Sequence, residues 1–206
     1  MTQSSQTAPR AASRRQFWLL IAVFFAPLLV AFVLYYGASG WRPAGGTHHG
    51  DLIDPARPLP QVSLQAPDKS PLAANLLRGK WSLVYIGAGA CDVRCREALV
   101  LMRQVRLALN DDLTRVARVF LVTAECCDQA YLNEQHEGLV VARLDSDAAG
   151  PLLDAFPQYS GVSVGEAGRI YVVDPLGNLM MSYAPDAPPK GLLEDLKKLL
   201  KLSRIG

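Results

Sequence analysis

Twenty consecutive residues without a charge, Phe17 to Tyr36 (FWLLIAVFFAPLLVAFVLYY), constrain this chain more than any other feature. As an α-helix rising 1.5 Å per residue they extend roughly 30 Å, the hydrocarbon thickness of a bilayer. Trp18 near one end and Tyr35 and Tyr36 at the other suit the two membrane interfaces. Pro27 in the middle is tolerable in a membrane helix and bends it. A buried core helix of this size would show a polar face. A cleaved signal peptide would have a shorter apolar run, roughly 7–15 residues, ending at a small-residue site. Arg10, Arg14 and Arg15 precede the span, and only Arg42 lies close behind it. The positive-inside tendency therefore makes residues 1–16 a cytoplasmic tail and 17–36 a transmembrane helix. The expected location is the inner (cytoplasmic) membrane, single-pass, with the soluble part in the periplasm, where thiols are oxidised.

The 206 residues suffice for one domain plus this appendage. A net charge of +2 and the absence of interleaved aromatic and basic residues exclude nucleic acid as a partner. Residues 37–58, rich in Gly, Pro and Ala, read as a flexible tether. Residues 59–206 read as the folded domain. Leu83 to Ile86, a short apolar run bounded by Gly, suits a strand buried on both faces. Ala98, Leu99, Leu101, Met102, Val105 and Leu109 then recur at helical spacing. Val116 to Thr123 is a second buried strand. A short helix over Gln129 to Glu137, a strand over Leu139 to Leu144 and a helix over Ala148 to Phe156 follow. Arg169 to Val173 and Leu179 to Tyr183 flank Asp174-Pro175-Leu176-Gly177-Asn178, a hairpin turn. Lys190 to Leu202 is an amphipathic helix. This order predicts an α/β, thioredoxin-like mixed sheet flanked by helices, preceded by one N-terminal transmembrane helix.

Cys91 and Cys95 fall between the first buried strand and its helix. A spacing of four puts them on one helical face, close enough for a disulfide or for joint coordination of one soft metal ion. The helix N-terminus favours thiolate over thiol. They are the candidate catalytic residues and the candidate metal ligands, with Cys91 as attacker and Cys95 as resolver. The alternative is a non-enzymatic interaction module with a structural Cys91–Cys95 bridge. Cys126 and Cys127 are not expected to bond to each other, because a vicinal disulfide closes an awkward eight-membered ring. One of them is a candidate resolving thiol, since both cysteine segments follow strands and such loops cluster at one sheet edge. His48 and His49 lie in the tether as a solvated pair. Met180 and Met181 read as strand residues, one facing the core and one facing out. A peroxidase of the peroxiredoxin type would need Pro and Thr or Ser around the attacking cysteine, and residues 87–95 contain none.

The segment RGKWSLVYIGAGACDVRC resembles the Sco (SenC) family of copper-binding, thiol–disulfide assembly factors of cytochrome c oxidase. The shared features are Gly79-Lys80, Leu83-Val84-Tyr85, Gly87 and Cys91-x-x-x-Cys95, with YVVDPLGNL (171–179) as the matching hairpin. A single N-terminal membrane anchor also matches. The resemblance covers residues 59–202. It implies a thioredoxin fold, copper held by the two cysteines and a distant histidine, and the oxidase's copper-binding subunit as partner. It also implies delivery of copper to that subunit's dinuclear site, or reduction of its thiols. The family's histidine lies just before the strand entering the hairpin, where this chain has Val162-Ser163-Val164-Gly165-Glu166-Ala167-Gly168-Arg169. His136 lies much earlier, and Glu166 offers oxygen, which suits soft copper badly. The expected chemistry is thiol–disulfide exchange, or carriage of Cu(I) on two thiolates, through Cys91 and Cys95. A proline before the strand Arg169 to Val173, usual in thioredoxin-type oxidoreductases, is absent.

Overall fold

The computed structural model describes residues 10–37, 46–124, 126–144, 149–203 and 205. It divides into two units, Met1–Gly46 and Thr47–Gly206. In the first, helix α1 runs Arg10–Gly37 with Pro27 inside it, so it starts seven residues before the expected span. Its stretch Arg14–Gly37 is, among the described residues, the one helix long and apolar enough to cross a membrane, and none of it is buried against protein. Phe17, Trp18, Phe24, Leu28 and Phe32 are all exposed.

The second unit is built on a six-stranded mixed sheet. Its strands are β1 (Asp51–Pro58), β2 (Trp81–Gly87), β3 (Val116–Val122), β4 (Leu139–Arg143), β5 (Ile170–Val173) and β6 (Asn178–Tyr183), in the order β1-β6-β5-β2-β3-β4. β2, β3 and β4 are parallel to one another, whereas β5, β6 and β1 join antiparallel. Alternation along the strands assigns residues to the two faces. Trp81, Leu83 and Tyr85 of β2 face one layer with Phe120, Ile170 and Val172. Val84 and Ile86 face the other with Val119, Leu121, Tyr171 and Val173. The first layer is covered by α2 (Val93–Leu107) and α5 (Pro189–Leu202), through Leu99, Met102, Leu192 and Leu196. The second is covered by α4 (Gly150–Asp154) and by the segment carrying Leu59, Leu64 and Leu77. A sheet covered on both faces explains why its strands read as continuous apolar runs.

The β5–β6 turn is held by Asp174, whose carboxylate accepts the N–H groups of Leu176 and Asn178 at 2.9 and 2.8 Å. Gly177 has φ +87° and lies where a Cβ would meet the Arg78 guanidinium at 2.9 Å, so no other residue fits easily.

The reading of 37–58 as a tether differs from the structure over its last part. Residues 38–45 lie outside the described residues, but Asp51–Pro58 forms β1, the edge partner of β6. Two prolines and two aspartates disguise it. An edge strand needs only one side of its backbone paired, so prolines are tolerated there. The register slips between Leu52 and Arg57. The sequence reading also omits the 3₁₀ turn Asn110–Arg115.

Candidate functional site

β2 delivers the first cysteine pair. Its last residue is Gly87, where a Cβ would sit 2.9 Å from the Tyr85 ring. The chain then turns, with the Cys91 N–H donating to the Ala88 carbonyl at 3.1 Å. Cys91 has φ +42°. That left-handed conformation costs a non-glycine residue about 1 kcal/mol. α2 starts two residues later. Its cap is Asp92, whose carboxylate accepts the Cys95 N–H at 2.9 Å. Cys91 therefore precedes the helix rather than sharing its face. Its left-handed backbone brings it to Cys95 instead. The two are joined by a disulfide with Cα atoms 5.0 Å apart.

Each of these cysteines is only 3 % exposed, within the layer that also contains Tyr85, Leu99 and Phe120. Burial, then the nearby Asp92 carboxylate, push the Tyr85 phenol up to about 12, so it stays a neutral hydroxyl within that layer. Asp92 alters the expected electrostatics. A negative charge already occupies the helix N-terminus and uses an N–H that a thiolate would otherwise receive.

Cys126 and Cys127 follow β3. Contrary to expectation, they are bonded to each other as a vicinal disulfide across a cis peptide, with Cα atoms 3.2 Å apart. Both are half-buried and pack against the layer that holds Cys91 and Cys95. Asp128 caps α3 (Gln129–Gln135) by accepting the Tyr131 N–H at 3.1 Å. Arg96 links the two cysteine segments. Its Nε donates to the Cys91 carbonyl at 3.2 Å, its Nη2 lies 3.8 Å from the Asp128 carboxylate, and its guanidinium stands 4.6 Å over the Tyr131 ring.

The other candidate ligands lie elsewhere. His136 ends α3 with Nε2 3.0 Å from the Tyr131 hydroxyl. Burial, then Arg103 and Arg118, lower its pKa and keep it neutral. Glu166 accepts from the Ser163 hydroxyl at 2.8 Å and lines a cavity of about 690 Å3 with Ala88 and Thr123. Met181 is buried and Met180 half-buried; contrary to the expectation of one in and one out, both pack with the layer of Tyr85 and Leu99, where the β5–β6 register slips. His48 and His49 are not a free pair. His48 Nδ1 lies 2.8 Å from the Gly50 carbonyl, and His49 contacts Asp195 and Glu194 at 3.1 and 3.3 Å. Among the described residues no three His, Cys, Asp or Glu side chains gather as a metal site. Once reduced, Cys91 and Cys95 supply two sulfur donors. That set fits Cu(I), which is soft and accepts low coordination, and lacks the further nitrogen that Cu(II) prefers.

The model of one protein family matches residues 81–203, from the start of β2 through the end of α5; it is described as "Transmembrane-like, thioredoxin-like, C-terminal domain". The chain belongs to this family. A protein of Stutzerimonas stutzeri, named as a candidate copper-binding protein, is 23% identical over 167 residues, covering 74% of this chain and 82% of its own. The copper-bound structure of Bradyrhizobium japonicum ScoI superimposes with TM-score 0.54 at 18% identity, over 69% of this chain and 99% of its own. BsSco, a Sco-family cytochrome c oxidase assembly protein in which a disulfide switch was identified, gives 0.53 at 14%, over 74% and 99%. These likenesses place Sco proteins among the structural neighbours and establish the thioredoxin-like fold.

Proposed function

We propose that the protein is a membrane-anchored, Sco-like factor that assists assembly of the copper centre of cytochrome c oxidase, through thiol–disulfide exchange at Cys91 and Cys95. The observation that carries this reading is the Cys91–Cys95 disulfide at the β2–α2 junction, with Cys91 in a left-handed conformation and, among the described residues, no group of three metal-ligating side chains. Strained backbone held by its surroundings is a mark of working sites. The copper-binding and disulfide-switch relatives support the chemistry. α1 serves as the anchor, with its N-terminus in the cytoplasm and the thioredoxin-like unit in the periplasm, as the flanking arginines indicate. By the boundaries of the sequence reading, 1–16 is the tail and 17–36 the membrane segment. The working domain is extended to include β1.

In the reduced protein the Cys91 thiolate attacks a disulfide sulfur of the partner. The partner's other sulfur leaves and takes a proton. The Cys95 thiolate then attacks Cys91 in the mixed disulfide, releasing the partner as a dithiol and restoring the Cys91–Cys95 bond. Asp92 holds Cys95 in place through its N–H, and Tyr85 stays neutral within the apolar layer that contains both cysteines. A second reading, carriage of Cu(I) as cargo on the two thiolates, is favoured by their closeness alone.

The test is trapping. Full-length Cys95→Ser protein in detergent, mixed with the oxidised copper-binding subunit of the oxidase, is expected to accumulate a mixed disulfide through Cys91, while Cys91→Ser does not. Accumulation in the Cys91→Ser protein alone would reverse the roles. Accumulation in neither would remove the exchange reading.

A further inference from the structure

The Cys91–Cys95 disulfide is almost fully buried, each cysteine 3 % exposed. Exchange requires an incoming thiolate to reach a sulfur, so burial slows reaction with outside thiols. The second disulfide, Cys126–Cys127, is only half-buried. The fold sets the two in matching places. β2 and β3 are parallel, their last paired residues are Gly87 and Val122, and the Thr123 N–H extends the pairing to the Gly87 carbonyl at 3.0 Å. Cys91 and Cys126 each stand four residues beyond that last pair. Arg96 then ties the two segments together, through the Cys91 carbonyl on one side and Asp128 and Tyr131 on the other. All four cysteines border one apolar layer.

We infer that Cys126–Cys127 is a second redox couple and the port through which an outside dithiol protein exchanges electrons with Cys91–Cys95. This rests on the reading of Cys91–Cys95 as a working couple. In the reducing direction, a thiolate of the outside dithiol attacks one sulfur of Cys126–Cys127, and its second thiolate resolves the mixed disulfide. The outside protein leaves oxidised, and Cys126 and Cys127 are left as thiols. Cys126, deprotonated, attacks Cys91. The Cys91–Cys95 bond breaks and Cys95 leaves as a thiolate that takes a proton. Cys127, deprotonated, attacks Cys126, and Cys91 leaves likewise. The Cys126–Cys127 bond reforms, and two electrons and two protons have moved to the inner pair.

The experiment uses the oxidised full-length chain in detergent, reduced with dithiothreitol and sampled by rapid alkylation and peptide mass mapping. In the unmodified protein, electrons should pass on to the inner pair, with thiols at Cys91 and Cys95 appearing as Cys126–Cys127 re-forms. In Cys126→Ser/Cys127→Ser, reduction of Cys91–Cys95 should slow at least about tenfold, because the buried pair has lost its accessible port, while its midpoint potential stays unchanged. In Cys95→Ser/Cys127→Ser, mild oxidation with diamide should link Cys91 to Cys126. An unchanged rate of Cys91–Cys95 reduction in the first variant, or two free thiols in the second, would each overturn the relay. A Cys91–Cys95 potential in the range of inert structural disulfides would instead sink the underlying reading, whatever the link between Cys91 and Cys126 shows.

Discussion

Replacing Asp195 by Ala should detach the start of the folded unit from its last helix. Asp195 sits on α5, only 3 % exposed. Its carboxylate accepts the His49 N–H at 2.6 Å, the Gly50 N–H at 3.2 Å and the Tyr183 hydroxyl at 2.9 Å, and lies 3.1 Å from His49 Nδ1. The His49 side chain is 43% exposed, so its groups regain water when Asp195 is lost. Gly50 and Tyr183 are buried and do not. Two stranded buried donors at about 1–3 kcal/mol each, with loss of hydrogen bonds to a charged acceptor, amount to roughly 3–5 kcal/mol. At about 2–4 °C per kcal/mol for a unit of this size, the melting temperature should fall by about 10 °C. Thermal unfolding in detergent, followed by circular dichroism, measures it. The pH dependence adds a second check. Burial raises the Asp195 pKa, but the bonds from His49, Tyr183 and Gly50 outweigh it, and the net shift is downward from 3.8. A carboxylate with a depressed folded pKa stabilises above its unfolded pKa and loses that contribution as pH falls through the folded one. The gap between native protein and variant should therefore hold at pH 5–7 and narrow as pH falls below about 4. A shift under about 2 °C, or a gap that persists unchanged at pH 3, would refute the reasoning.

Three further outcomes are expected. Asp92→Ala should cost about 1 kcal/mol through loss of the α2 cap, while Asp92→Asn should keep most of it; equal melting temperatures for the two variants would contradict the capping role. Tyr85 and Tyr171 are held at about 12 by burial first, and Tyr183 is raised further by burial and then Asp195. Unfolded tyrosines ionise near pH 10, so stability should fall as pH rises from about 10, seen as a declining melting temperature between pH 10 and 12. The reduced chain should bind one Cu(I) per molecule in competition with a chromogenic chelator, and Cys91→Ala/Cys95→Ala should bind none; uptake by the double variant would place copper elsewhere.

How legible the fold was depended on burial. β2, β3 and β5 carry the apolar runs Leu83–Ile86, Val119–Val122 and Ile170–Val173 because both faces of the sheet are covered, and α2 and α5 carry helical periodicity because one face of each is covered. β1 escaped because an edge strand with two prolines and little buried surface has no such pattern. The vicinal Cys126–Cys127 bond is not legible in the sequence, since adjacency in the chain does not show whether two cysteines pair with each other. The Cys91–Cys95 pair was visible from spacing and position. The left-handed turn that joins the two was not, since nothing in Ala90-Cys91-Asp92 demands it. Asp92 could have been found as a capping residue before a helix. Arg96 and Asp128 could not, because their meeting depends on the parallel pairing of β2 and β3. His49 read as solvated, and its role emerged only once α5 brought Asp195 beneath it.

Both the proposed exchange and the relay require Cys91 and Cys95 to form a working couple. The midpoint potential of that pair, measured on the full-length protein in detergent by equilibration with glutathione and dithiothreitol buffers, decides it most directly. A working couple has a value well above roughly −300 mV, within reach of cellular thiol reductants; a value below that would make the bond a structural staple and contradict the proposed exchange.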